Sequence, residues 1–120
     1  MKLFDLQHIS DMRGTLDVLE KDLTFPVERM FIINASAGVE RGGHGHKKCQ
    51  MILICPHGAV EVIVNNGSGR KSVLLDSSSK AVFLEPADWH VMNFIEDSVL
   101  VVQASEKYDE GDYIYNEPQS

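Results

Sequence analysis

The sequence predicts an all-β, single-domain jelly-roll barrel, and three observations carry that expectation. Short apolar and β-branched runs recur along the 120 residues, cut by Gly, Pro, Asn and Asp clusters roughly every 8 to 12 residues, the rhythm of a barrel or sandwich. No stretch repeats apolar residues at the spacing of an amphipathic helix. The length suits one domain with a core of its own, and neither a solenoid repeat nor a low-complexity linker divides it. Residues 1–120 are therefore read as one domain, with 105–120 as a C-terminal tail packing on the barrel.

Each element follows from its residues. Residues 2–6 read as a short strand, 10–14 as a turn ending at Gly14, and 15–19 as an alternating polar and apolar strand. Residues 20–24, ahead of Phe25-Pro26, form a loop. Residues 29–34 make a strand that ends at 35–38. The run Arg41-Gly42-Gly43-His44-Gly45-His46-Lys47-Lys48-Cys49-Gln50 continues into Met51-Ile52-Leu53-Ile54-Cys55, and its length and the Pro56-His57-Gly58 turn make it one strand. Residues 59–64 are expected to pair back across that turn. Asn65-Asn66-Gly67-Ser68-Gly69 is a hairpin signal, with 71–75 the return strand. Residues 81–84, 89–94 and 98–103 complete the strands, separated by turns at 85–88 and 96–97. The acidic, aromatic segment from Tyr108 to Tyr115 is expected to lay its tyrosines over the barrel.

Composition excludes several classes. With 43% hydrophobic and 24% charged residues, the chain is an ordinary globular protein rather than a disordered one. A net charge of −7 opposes nucleic-acid binding, which needs clustered cations against phosphate. An anionic small ligand is still allowed, at the cationic spot of Arg41, Lys47 and Lys48. No apolar run approaches the roughly 20 residues of a membrane helix, and residues 1–5 do not begin a secretory signal, so the cytoplasm is the expected location. Cys49 and Cys55 lie too far apart along one strand to bond each other and read as reduced core residues.

Chemistry concentrates in the histidine strand. On a regular strand His44, His46, Lys48 and Gln50 share a face, with next-but-one side chains roughly 7 Å apart, so two imidazoles serve one small substrate or one metal ion. Taken alone, a His-x-His pair is equally explained by two half-buried residues with satisfied hydrogen bonds. His8 and His57 have no partner at ligand spacing and read as surface residues. Beyond the histidines the strand is apolar on both faces, with Cys49, Met51, Leu53 and Cys55 on one and Ile52 and Ile54 on the other. A strand buried on both faces calls for a second layer. A homodimer formed sheet to sheet is one answer, an intrachain sandwich the other.

Gly38, His44, His46 and Gln50 at their spacing resemble the first cupin motif, and Pro86-Ala87-Asp88-Trp89-His90 with Asn93 the second. Metal-binding cupins carry Glu where this chain has Gln50. A closer resemblance covers most of the chain: Asp11-x-Arg13-Gly14, Arg41-Gly42-Gly43-His44-x-His46-Lys47-Lys48 with Gln50, Trp89-His90-x-Met92, and Tyr108-Asp109-Glu110-x-Asp112-Tyr113-Ile114 resemble the nucleotide-sugar 3,4-ketoisomerases. These are small dimeric cupins acting on dTDP-4-keto-6-deoxyhexoses in deoxysugar biosynthesis for bacterial surface glycans such as lipopolysaccharide and S-layer glycan.

The resemblance implies that a ketone moves from C4 to C3 through an enediol or enediolate, with no cofactor and no metal. The C3 proton must leave and a proton must reach C4, work suited to imidazoles whose ordinary pKa is about 6.5. By resemblance His46 is the base, and His44 is the partner acid or orienting group. Arg41, Gln50, His90 and Trp89 would bind substrate, and Lys47 would have a rim or structural role. The chain departs from the family at Gly45, where Ala is common, at Val91, where Glu is common, and at Phe31, Ile32 and Ile33, where relatives carry tyrosines. Two other readings stand beside the isomerase: a metal-dependent cupin such as a dioxygenase using His44, His46 and His90, and a non-catalytic barrel that binds a sugar or nucleotide.

Overall fold

A computed structural model describes residues 1–119; Ser120, the far end of the expected tail, lies outside the described residues. The strands are β1 (Lys2–Asp5), β2 (Gln7–Asp11), β3 (Gly14–Val18), β4 (Arg29–Ala35), β5 (Glu40–His46), β6 (Met51–His57), β7 (Val60–Asn65), β8 (Arg70–Leu75), β9 (Lys80–Leu84), β10 (Trp89–Phe94), β11 (Ser98–Ala104) and β12 (Tyr113–Ile114). One 3₁₀ turn, Glu110–Asp112, is the only helix among the described residues. Two antiparallel five-stranded sheets, β1-β9-β6-β11-β4 and β12-β5-β10-β7-β8, form a cupin-like jelly roll, and β2 and β3 make a separate hairpin.

The core lies between the sheets because alternate residues of each strand face inward. Met51, Leu53 and Cys55 of β6 and Leu100, Val102 and Ala104 of β11 meet Val60, Val62 and Val64 of β7 and Phe94 of β10. Leu53, Val60, Val62 and Leu100 are fully buried. Removing a side chain such as Leu53 costs about 2–5 kcal/mol through lost transfer energy and the cavity left behind.

Three sequence expectations need correction. The long histidine strand is two strands in different sheets: β5 ends at His46, residues 47–50 turn, and β6 begins at Met51. Asp112 causes the break, its carboxylate accepting the backbone N–H groups of Lys48 (3.0 Å) and Cys49 (3.2 Å) and its carbonyl accepting that of Lys47 (2.8 Å). Those groups are thereby lost to any ladder. Next, β7 does not pair back on β6. The chain turns at Gly58 (φ +92°) and crosses to the other sheet, where β7 lies between β10 and β8. A turn signal reports a change of direction, not the next partner.

The outer face of β6 is also covered from within the chain. Ile52 and Ile54 pack with Leu6, Phe25 and Ala81, flanked by Phe4, Leu19, Leu23 and Phe83. The second layer over β6 is therefore intrachain, and the apolar side chains left in solvent lie elsewhere. Ile9 (45% exposed), Met12 (100%) and Leu16 (57%) are on the β2–β3 hairpin, and Met30 and Ile32 are on the edge strand β4. The strand β2 also takes in Ser10 and Asp11, residues expected to begin a turn. His8 within it is exposed and bonded to Asp17 at 2.6 Å.

Candidate active site

β5 sets the site through its glycines. Opposite β10 it pairs His44 with His90, then Gly42 with Val91 and Arg41 with Met92, so Gly43 is an extra residue in the ladder. Gly42 (φ +95°) and Gly43 (φ +80°) take the left-handed backbone that such a bulge uses. A Cβ on Gly42 would stand 2.8 Å from the His90 carbonyl oxygen, and one on Gly45 would stand 3.2 Å from the Asp88 carbonyl oxygen. The extra residue also reverses the alternation of faces. Arg41, which a regular strand would point away from His44 and His46, comes to the same side.

That side is a cavity of about 130 Å³ between the sheets. Arg41, His44 and His46 line it from β5, His90 and Met92 from β10, Arg29, Phe31 and Ile33 from β4, and Tyr113 from β12. The rings of His44 and His46 are 5.2 Å apart between centroids, those of His44 and His90 5.0 Å, and those of His46 and His90 6.1 Å. Tyr113 pairs with His46 in the β12–β5 ladder, and its ring lies 4.6 Å from both His44 and His46.

The electrostatics favour neutral imidazoles. Burial pushes His46 down to about 4, with help from His44 and against the attraction of Asp112. Burial likewise lowers His90 to about 4, opposed by its hydrogen bond to the Asp88 backbone. His44 is lowered by burial too, although a hydrogen bond to the Gly42 backbone works in the other direction. His90 Nδ1 lies 3.1 Å from the Asp88 carbonyl oxygen. A carbonyl only accepts, so Nδ1 carries the hydrogen and neutral Nε2 keeps its lone pair. His46 Nε2 and Arg29 Nε are buried with no hydrogen-bond partner in the chain. Unmet capacity of this kind is expensive in an interior and is satisfied when a polar molecule enters.

Four expected site residues meet here: His44, His46, Arg41 and His90. The other two do not. Gln50 sits in the turn after β5, its backbone tied to Ser105 through N–H to Oγ (2.8 Å) and through its carbonyl to the Ser105 N–H (2.9 Å), and it does not line the cavity. Trp89 neighbours inward-facing His90 and so faces the other way, donating its indole N–H to the Tyr115 carbonyl (3.1 Å) under the Arg70 guanidinium. Lys47 is exposed. Sequence reasoning missed Arg29 and Tyr113. Arg29 carried no signal beyond heading a strand, whereas Tyr113 lay in a quoted motif without a role.

The three imidazoles converge, but among the described residues no three His, Cys, Asp or Glu side chains are arranged to hold a metal ion. No carboxylate lines the cavity. The donors do not fit a metal centre. They do fit proton transfer: neutral bases with free lone pairs, and the guanidinium groups of Arg29 and Arg41 to stabilise a developing oxyanion.

The FdtA family pattern (WxcM-like, C-terminal) matches residues 1–119. The chain is 38% identical over 117 residues to TDP-4-oxo-6-deoxy-alpha-D-glucose-3,4-oxoisomerase of Aneurinibacillus thermoaerophilus, covering 94% of this chain and 84% of that one. Among solved structures it is similar to a 3,4-ketoisomerase from Helicobacter canadensis (31% identity, TM-score 0.90, covering 96% of this chain and 90% of that one). It is also similar to an Asn-for-His variant of the 3,4-ketoisomerase QdtA from Thermoanaerobacterium thermosaccharolyticum, in complex with TDP-4-keto-6-deoxyglucose (34% identity, TM-score 0.89, 96% and 86% covered).

Proposed function

The chain belongs to the FdtA family, and from that premise we propose that it is an isomerase that moves the keto group of a TDP-4-keto-6-deoxyhexose from C4 to C3 in deoxysugar biosynthesis. The observation that carries this reading is His46: buried, held neutral, and with Nε2 unpartnered at the wall of a small cavity. His46 takes the C3 proton as the C3–C4 double bond forms, and the same proton or one relayed by His44 goes to C4. Arg29 and Arg41 stabilise the enediolate oxygen, a role preorganised cations fill best out of bulk water. The hexose ring enters the cavity, and the nucleotide lies outside it.

Incubation with TDP-4-keto-6-deoxyglucose in deuterated water tests the reading. A new 3-keto isomer is expected, with deuterium at C4 to the extent that the proton held by His46 exchanges with solvent before it is returned. Unchanged substrate with no deuterium at C3 or C4 removes the proposal for that sugar.

The assembly belongs to the same reading. A lone two-stranded hairpin is marginal in water, yet β2 and β3 project with Ile9, Met12 and Leu16 uncovered, and edge strand β4 exposes Met30 and Ile32. The protein is a homodimer in which this apolar surface is shared between protomers. We place it in the reducing cytoplasm, which its two free thiols suit.

A further inference from the structure

Resting on the ketoisomerase reading, we propose that Phe31 and Ile33 form a seat for the C6 methyl of the hexose and so make the enzyme selective for 6-deoxyhexoses over sugars without that methyl. The cavity has two chemically opposite walls. The sheet of β5, β10 and β12 supplies Arg41, His44, His46, His90 and Tyr113, with Met92 its single apolar side chain. From the facing sheet come Phe31, Ile33, Met51, Leu53 and Val102, and beyond Arg29 at the start of β4 none of these side chains carries an N–H or O–H.

Depth orders the same residues. Arg41 is exposed and Arg29, Phe31, His44 and Tyr113 are half-buried, so the mouth lies between the edge strand β4 and β5. Ile33, Met51, Leu53, Met92 and Val102 are buried and make the inner end. Along β4, alternation turns Arg29, Phe31 and Ile33 to the cavity, and burial deepens in that order to Ile33. The apolar wall therefore begins directly below a guanidinium, with Arg29 Cζ 5.1 Å from the centre of the Phe31 ring.

A 4-keto-6-deoxyhexose matches such a pair of walls. Its nucleotide is attached at C1 and C4 lies across the ring, so the end that enters first carries C3, C4 and C5. The oxygens on C3 and C4 go to the imidazole side, where the reaction needs them. C5 bears the methyl, the one substituent of the ring with no oxygen, and the apolar wall is where its transfer out of water is favourable. A hydroxyl added to that methyl would give up its water and meet no strong partner. The wall reads a carbon that takes no part in the reaction. A contact of this kind raises kcat/KM by holding the neighbouring C3 and C4 against the imidazoles.

Kinetics with two substrates test the seat: TDP-4-keto-6-deoxyglucose and TDP-4-ketoxylose, the pentose that lacks only C6. In the unaltered protein kcat/KM should be about 10- to 100-fold higher for the deoxyhexose, the discrimination an apolar pocket achieves for one carbon. Phe31→Ala and Ile33→Ala should each narrow that ratio by at least about threefold, because both enlarge the space the methyl fills. A merely structural role does not move the ratio. Phe31→Ala removes the ring under Arg29, and Ile33→Ala removes a core side chain, but such losses slow both sugars alike. Ile33→Val, which trims one methyl, takes the place of Ile33→Ala if that variant does not fold. Equal kcat/KM for the two sugars in the unaltered protein overturns the inference, and so does a ratio that keeps its starting value when Phe31 and Ile33 are each replaced. Inertness toward both sugars would instead remove the ketoisomerase reading and this inference with it.

Discussion

His44 lies directly opposite His90 across the β5–β10 ladder, their ring centroids 5.0 Å apart, and both neighbour His46. Three imidazoles this close and this buried do not share positive charge, so each is held toward its neutral form, His46 and His90 down to about 4. The acid limb of kcat/KM should accordingly lie near pH 4, where His46 titrates, and the rate at pH 5.5 should remain close to that at pH 7.5. A limb centred near 6.5 would mean that the base is not buried as described.

Stability should follow the same groups. His46 and His90 titrate near 4 in the fold and near 6.5 in the unfolded chain, so between those values the unfolded chain binds more protons and gains on the native state. Stability is full above pH 6.5 and declines as pH falls toward 4, by on the order of a few kcal/mol in all. Denaturant melts at pH 7.5, 6 and 5 check the direction; a midpoint that rises with acidity contradicts it.

His46→Asn should reduce kcat by on the order of 10³-fold and leave the nucleotide affinity and the melting curve nearly unchanged. The replaced ring nitrogen has no partner to orphan. Turnover assays beside titration with TDP separate the effects, and an unchanged rate would place the base elsewhere.

The bulge glycines should differ from each other. Gly42→Ala drives a Cβ into the His90 carbonyl, whereas the same change at Gly43 meets open space and adds only the left-handed backbone penalty. Gly43→Ala should cost about 1–2 kcal/mol and Gly42→Ala more, with lost activity through displaced Arg41 and His90. Equilibrium unfolding of both variants, with kcat/KM for each, tests the order.

Dialysis against a chelator should not change the rate, and protein purified without added metal should contain none in stoichiometric amount, since the imidazoles do not form a ligand set. Stoichiometric iron, nickel or zinc would revive the metal-dependent reading.

In solution the protein should have twice the chain mass by light scattering. Ile9→Asp combined with Leu16→Asp should produce monomers, because both side chains stand in solvent on a hairpin that pairs with neither sheet. A dimer untouched by these changes would locate the interface elsewhere.

The sequence was legible wherever a local rule suffices. His44 and His46 share a face because they are two apart within β5, wherever that strand ends, and the hairpin at 65–69 followed from its own turn residues. Trp89 shows a rule left unused, since alternation alone turns it outward once His90 points in. Gln50 failed for a distant cause: Asp112, far along the chain, ends the strand ahead of it. The pairing of β6 and β7 failed because the same turn serves a hairpin or a sheet crossing. Arg29 and Tyr113 reach the cavity only through tertiary pairing, β4 with β11 and β12 with β5.

Because Gly43 is one residue more than the ladder needs, inheritance of the His-Gly-His triplet does not guarantee the same electrostatic surroundings. A single-codon deletion at Gly42 or Gly43 would leave both imidazoles facing inward and swing the Arg41 guanidinium out to bulk water. Genome surveys that seek active members of this lineage should therefore count the residues ahead of the triplet as well as match its letters.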